Sequence, residues 1–318
     1  MADRKELVSV VVNFLNASRF LEEAIASVHA QTYRTWELLL VDDGSTDAST
    51  EIARRHAARD PERLRYLEQP GHENRGASAA RNLGIANARG ELIAFLDADD
   101  VWLPSRLDRG VELLRRHPAA DMVYGESEYW RSWEGERAAY PDRVQPHGFS
   151  ADRVVPAPEL LVRYLTHRAA VPCPTSMTFR TRAVRKSGGF IESFRGMHDD
   201  QAFLARFCLY HDVYVAHECW DRYRQHDASL CATAAQRGEV AKAREVYLTW
   251  LHEFLAEQGT RGTRVWDALR FAERVNKYQG KGLYPTVARV ALKSLTMARM
   301  GMRPQVRPVP PSIRAAPP

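Results

Sequence analysis

Short apolar runs punctuate the first 125 residues at nearly regular intervals: LVSVVV (Leu7 to Val12), ELLLV (Glu37 to Val41), LRYLE (Leu64 to Glu68), LIAFL (Leu92 to Leu96) and DMVYG (Asp121 to Gly125). Their length and their β-branched and aliphatic content mark them as strands, and starts about thirty residues apart match a βαβ unit. Between them lie segments with helical spacing: 18–31, where Leu21, Ile25 and Val28 recur on one face, then 49–59, 77–88 and 105–117. Strands apolar on both faces and alternating with helices predict an α/β architecture, a mostly parallel sheet covered on both sides.

Beyond Gly125 the pattern loosens. Aromatic and turn residues from Tyr129 to Phe149 and prolines at 156, 158, 172 and 174 predict loops and small insertions rather than a second Rossmann-like half. A helix over 201–211 and a strand over 212–216 follow, 238–275 reads as two helices, and the Pro-rich stretch from Arg303 predicts disorder.

Composition narrows the function classes. The 318 residues, 45% hydrophobic, are enough to bury a sizeable core. Forty-five basic against 40 acidic residues leave only +5, and no basic run interleaved with aromatics marks a nucleic-acid partner. Cys173, Cys208, Cys219 and Cys231 lack CxxC spacing, so buried free thiols are expected rather than zinc ligands or disulfides. The opening MADRKELVSVVV runs from a charged stretch into a strand without a signal-peptide pattern. No apolar stretch approaches the roughly 18 to 20 residues a membrane span needs, so a cytoplasmic protein is expected. From Gln279 onward there are seven Lys/Arg and no acidic residue, and Arg289 and Lys293 lie one helical turn apart. That segment would suit peripheral contact with anionic lipid, although its apolar face is weak and a solvated basic helix and tail is the simpler reading.

Two acidic clusters end predicted strands: VDDGSTD (Val41 to Asp47) the second and LDADD (Leu96 to Asp100) the fourth. In open parallel sheets ligands bind outside the carboxyl ends of strands, where these carboxylates would face one crevice. As turn and cap residues they need no such role: Asp-Gly-Ser-Thr is good turn chemistry, and Asp100 or Ser105 would serve to cap the helix after Pro104. Clustered carboxylates repel unless a cation neutralises them, and hard ions such as Mg²⁺ or Mn²⁺ take oxygen ligands and substrate phosphates. Neither GxGxxG after the first strand nor GxxxxGK[ST] occurs, so a diphosphate compound other than a dinucleotide or a P-loop ligand is implied.

With SVVVNFLN, AIASVHAQTYRTWELLLVDDGSTD and NRGASAARNLGIANARGELIAFLDADDVWLPSRL, then SGGF, HDDQAF and YRQHDAS in order over about 230 residues, the chain resembles inverting family 2 glycosyltransferases of the GT-A fold. The resemblance implies a Rossmann-like GT-A domain for nucleotide-sugar binding and catalysis over 1–235, a helical C-terminal extension over 236–302, and a tail over 303–318. It also implies Mn²⁺ or Mg²⁺ as cofactor and a nucleoside-diphosphate sugar as donor, UDP before TDP or GDP. The acceptor would be a glycan, a lipid-linked saccharide, a peptide or a small molecule. Carried over by motif, Asp42 and Asp43 would hold the uracil or ribose, with Asn13 and Asn16 lining the same pocket. Arg81, in the ARN segment, would place the nucleotide and its phosphates. Asp97 and Asp99 match the DxD pair, the first facing ribose or sugar and the second the metal, and Asp100 would reach the donor sugar. Asp199 and Asp200 stand where the family has Glu-Asp. Asp200 would be the general base, with the Asp199 departure leaving the choice between the two open. His226, in YRQH, would reach the metal or the diphosphate, with Arg224 beside the donor.

Other readings compete. Asp200 would also cap the helix near Gln201, Trp102 would stack on a sugar or pack in the core, and Tyr129, Trp130 and Trp133 would line an acceptor wall or pack their loop. DADDVW also fits a haloacid-dehalogenase-like phosphohydrolase with Asp97 as nucleophile, although that motif normally ends the first strand. A non-catalytic nucleotide-sugar binder is the third reading. The sequence leaves sugar, acceptor and oligomeric state open.

Overall fold

The computed structural model describes residues 6–135 and 140–279. The segment from residue 280, with Arg289, Lys293 and the tail from Arg303, lies outside the described residues. The chain runs β1 (Val8–Phe14), α1 (Leu21–His29), β2 (Trp36–Asp42), α2 (Ser49–Arg59), β3 (Leu64–Glu68), α3 (Ala77–Asn87), β4 (Leu92–Asp97), β5 (Val101–Trp102) and α4 (Arg106–Arg116). It continues through β6 (Ala120–Trp130), β7 (Arg143–Gln145), β8 (Arg153–Val155), α5 (Glu159–Leu165), β9 (Met177–Arg180), α6 (Thr181–Lys186) and α7 (Asp199–Cys208). Then come β10 (Asp212–Arg224), α8 (Leu230–Gln236), α9 (Val240–Glu257) and α10 (Arg264–Gln279).

One sheet has the order β3-β2-β1-β4-β9-β6-β10-β5, with β7 beside β6 and β8 beside β10. It is parallel across β3, β2, β1 and β4, as the repeating pattern predicted. Downstream it is mixed: β9 inserts antiparallel between β4 and β6, β6 and β10 pair parallel, and β5 returns antiparallel to β10. The chain's α/β class stands, and the sheet is more mixed than the N-terminal periodicity alone suggests.

Side chains of β1 and β2 alternate between two cores. Val8, Val10, Val12, Leu38 and Leu40 pack under α1, while Val11, Leu39 and Val41 pack on the opposite face. Burial on both faces is the reason these strands read as continuous apolar runs. On that second face α3 lies close to β1: a Cβ on Gly84 would sit 2.4 Å from a Val11 methyl. Leu251, Leu255 and Leu269 from α9 and α10 join the same core as Phe179 and Phe203, so the helical extension shares its packing with the sheet.

Two strands outrun their predicted lengths. β6 continues past Gly125 to Trp130 and β10 past Ala216 to Arg224. Glu126 and Ser127 in β6 line a cleft, so polar residues stand where a strand buried on both faces would be apolar. In β10, register shifts at Val215–Cys219 and Cys219–Asp221 break the alternation, as β-bulges do. The predicted helix over 201–211 begins two residues earlier, at Asp199.

Candidate functional site

The sheet topology creates the site. β2 lies to one side of β1 and β4 to the other, so the connections diverge at β1, where α/β sheets open a crevice beyond the strand ends. Register sets Asn13 beside Asp97 and Phe14 beside Asp42 at that edge. A cleft of about 870 Å³ opens there, lined by Asn13, Asn16, Asp43, Arg81, Asp97, Asp99, Asp199, Asp200 and His226 among others. Nine of the twelve residues proposed from sequence thus face one cavity, although they come from six segments spread over more than 200 residues.

Arg81 is the hub. Carried on α3 and almost wholly buried, its guanidinium donates from Nη1 to Asp199 Oδ2 at 2.6 Å and from Nη2 to Asp97 Oδ1 at 2.7 Å. A planar fork spans two carboxylates in a way a lysine cannot. Burial pushes the Asp97 carboxyl above its ordinary range despite Arg81, and Asp99 pushes it further. Asp200, at the first turn of α7, accepts from the Gln201 amide at 2.7 Å. Burial first and the Asp199 charge second raise it to about 7. His198, not Asp200, holds the cap position of α7, and no side chain caps that helix. Asp200 is therefore not the cap residue, although one of its oxygens holds the first-turn Gln201 amide.

Across the cleft, His226 Nε2 lies 3.0 Å from Asp99 Oδ2. Its ring rests 4.9 Å from Phe20 and 6.3 Å from Trp133, which hold its orientation. Asn13 lines the cleft, and its buried side-chain oxygen has no hydrogen-bond partner among the described residues. Asp43 lines the cleft and accepts the Arg75 and Gly76 amides at 2.9 and 3.0 Å, fastening the loop ahead of α3. Asn16, in the left-handed region at φ 50°, accepts the Thr46 amide at 2.7 Å.

Three expected donor ligands do not reach the cleft. Asp42 is fully buried below it, accepting from the Ser45 amide at 2.8 Å and the hydroxyls of Thr50 at 2.5 Å and Tyr66 at 3.2 Å, so it braces the turn. Asp100 is equally buried, taking the Arg224 amide at 2.9 Å and the Thr175 hydroxyl at 2.8 Å; burial and its Asp neighbours hold its carboxyl well above the usual range. Arg224 sits among Phe20, Trp130 and Trp133 at 4.4–4.9 Å and donates to the Asp99 carbonyl at 2.7 Å, so it supports the acidic loop from behind. The metal set is also divided. Among the described residues, the group whose ligand atoms all lie within 4.8 Å of one another is Asp97, Asp100 and Cys173, not Asp97, Asp99 and His226.

Trp102 is core, its indole donating to the Thr175 carbonyl at 2.8 Å. Of the three acceptor-wall aromatics only Tyr129 lines the cleft; Trp130 and Trp133 pack against arginines and His226. Sequence reasoning missed His198, which lines the cleft in the left-handed region at φ 73° and stacks on Tyr247 of α9 at 5.3 Å. Burial, then Arg244, lowers His198 to about 4, so its ring is neutral. No local signal marks a residue whose partner lies on a distant helix. Cys173, read as a plain buried thiol, is half-buried and lines the cleft; all four thiols are free, but of the four Cys208 alone is buried, with Cys219 half-buried and Cys231 exposed.

The family model for glycosyl transferase family 2 matches residues 9–188, more than half of the chain. The putative teichuronic acid biosynthesis glycosyltransferase TuaG of Bacillus subtilis is 37% identical over 129 residues, 40% of this chain and 49% of its own; the chain thus spans about half of that relative. Among solved structures, S. aureus TarS 1–349 in complex with UDP-GlcNAc aligns at TM-score 0.58 and 17% identity over 92% of both chains. A mannosyltransferase from Pyrobaculum calidifontis with GDP-Man and Mn²⁺ aligns at 0.60 and 19%, over 93% of this chain and 76% of its own. At those identities the two structures establish the GT-A fold. No helix among the described residues is long and apolar enough to cross a membrane.

Proposed function

This chain belongs to glycosyl transferase family 2, and on that premise we propose that it transfers a sugar, with inversion, from a nucleoside-diphosphate donor to an acceptor hydroxyl. The observation that carries the proposal is the Arg81 fork joining Asp97 on the donor side to Asp199 beside Asp200. It fixes a nucleotide-facing carboxylate and a base-bearing helix at one distance from each other, which is what a single displacement needs.

In this reading Asp200 is the general base. Asp199 is committed to Arg81, whereas Asp200 accepts only a backbone amide and stands at about 7, so it takes the acceptor proton near neutral pH. Asn13 and Asp43 receive the base and ribose, Asn13 with its unpaired oxygen. A divalent cation suits the residues present: Asp99 offers a carboxylate to the cleft, and His226, held by Phe20 and Trp133, stands 3.0 Å from it. Asp99 and His226 would hold it. Bound Mn²⁺ or Mg²⁺ supplies Lewis-acid stabilisation of the charge gathering on the departing diphosphate. UDP is the donor nucleotide favoured here, supported by the UDP-GlcNAc complex of a protein with the same fold. The free thiols suit a reducing, cytoplasmic setting.

Titrating UDP, TDP and GDP into the purified protein in a calorimeter, with and without Mn²⁺, tests this. Binding of one nucleotide that needs both Mn²⁺ and Asp99, and is lost in Asp99→Ala, is expected. Failure of every nucleotide under every condition would sink the proposal.

A further inference from the structure

Cys173 plays no part in that reading, yet its thiol stands at the floor of the cleft against the acidic loop. Sγ lies 3.8 Å from Asp97 Oδ2 and 3.8 Å from Asp100 Oδ2. The opposite oxygens of both carboxylates are engaged, Asp97 Oδ1 by Arg81 and Asp100 Oδ1 by the Arg224 amide. What converges is therefore one thiol and two carboxylate oxygens, with one Thr175 hydroxyl hydrogen bond on the Asp100 side.

The surroundings are short of positive charge. The fully buried Asp221 carboxylate makes no hydrogen bond of good geometry among the described residues, and the Ser127 hydroxyl and the Arg106 charge offset it in part. Its charge is felt by both Asp97 and the Cys173 thiol. The nearby arginines are committed elsewhere: Arg81 is shared with Asp199, Arg224 reaches Glu23, and Arg106 donates to the Thr178 hydroxyl and to the carbonyls of Thr175 and Met177. Buried carboxylates in this state gain from a cation.

The donor set selects which cation. Mg²⁺ and Mn²⁺ prefer oxygen, whereas thiolate favours softer ions such as Zn²⁺ and its congener Cd²⁺. Bond lengths of about 2.3 Å to sulfur and 2.1 Å to oxygen in a tetrahedral shell separate S and O by about 3.6 Å, close to the 3.8 Å seen here. Cys173 and Asp97 both line the cleft, which provides an entry path and room for a water as fourth ligand.

We propose that Cys173, Asp97 and Asp100 form a second metal site, specific for thiophilic divalent cations of the zinc class and separate from the Asp99–His226 pair. Binding displaces the thiol proton to solvent.

Cd²⁺ titration of the metal-free, reduced full chain tests the site without any need for turnover, so it stands or falls apart from the proposed transfer. An ultraviolet thiolate-to-metal charge-transfer band saturating at one equivalent is expected, bleached by Zn²⁺ and not by Mg²⁺. Cys173→Ser should abolish the band and weaken Zn²⁺ binding at least about tenfold, while Cys231→Ser, altering the other thiol of the cleft, should leave it intact. Iodoacetamide labelling of the unaltered protein, read by peptide mass, guards against misfolding of the variant: Cd²⁺ should protect Cys173. No band, a band that survives Cys173→Ser or vanishes in Cys231→Ser, or unprotected Cys173 would each overturn the site.

Discussion

Replacing Asp200 by Asn separates what this residue costs the fold from what it contributes to the reaction. In the folded chain its carboxyl is raised from 3.8 to about 7. A raised carboxyl opposes folding: no penalty exists below the unfolded value, the penalty grows from there upward, and it is complete above the folded value. Roughly three units at 1.36 kcal/mol each give a ceiling of about 4 kcal/mol at high pH. A minor part of it is already present at pH 5, so the penalty grows by about 2 to 3 kcal/mol between pH 5 and pH 8. The real figure is smaller, because Asp200 lines the cleft and water screens it. Asn keeps the acceptor for the Gln201 amide and has no charge to bury. Urea unfolding of metal-free protein at both pH values should therefore show Asp200→Asn gaining on the unaltered chain by about 1–2 kcal/mol more at pH 8 than at pH 5. Its turnover should fall by at least about a hundredfold, while in the unaltered enzyme kcat should rise with pH through about 7. A stability difference independent of pH, or full turnover in the variant, would refute the argument that this buried carboxyl is a base held ready at neutral pH.

Arg81→Lys keeps one positive charge but can satisfy only one of the two carboxylates, so a loss of about 2 kcal/mol in stability is expected by chemical denaturation. Nucleotide affinity measured by calorimetry should fall with it. Tyr247→Leu removes the ring stacked on His198 and should lower kcat about tenfold or more through the misplaced start of α7. Donor affinity should survive, Tyr247→Phe should restore the rate, and equal losses in affinity and rate would show only a general loosening of the fold. Gly84→Ala places a methyl 2.4 Å from Val11 and should cost about 1–3 kcal/mol in urea unfolding; an unchanged midpoint would mean that α3 is free to slide.

Much of the fold was legible because its signals are local. The runs at Val8–Phe14, Trp36–Asp42 and Leu92–Asp97 are apolar on both faces, and that period survives without knowledge of any partner strand. β6 beyond Gly125 and β10 beyond Ala216 were not legible, because one lines the cleft with Glu126 and Ser127 and the other is bulged. Motif resemblance listed the carboxylates but could not say which of them face the cleft. Asp42 and Asp43 are adjacent in sequence, yet one is sealed under the turn and the other opens to the cavity.

The sequence by itself determined the βαβ rhythm, the strand ends that carry acidic residues, and the residue types able to bind a diphosphate and remove a proton. Those follow from side-chain period and from chemistry that adjacent residues share. Only the tertiary structure decided that Arg81 would join Asp97 to Asp199, that Arg224 would stand behind the acidic loop, and that Cys173 would meet Asp97 and Asp100. These contacts link residues 16 to 125 positions apart. Their geometry depends on how far β9 reaches beside β4 and β10 beside β6, and long-range strand order and bulges leave no periodic trace in the chain.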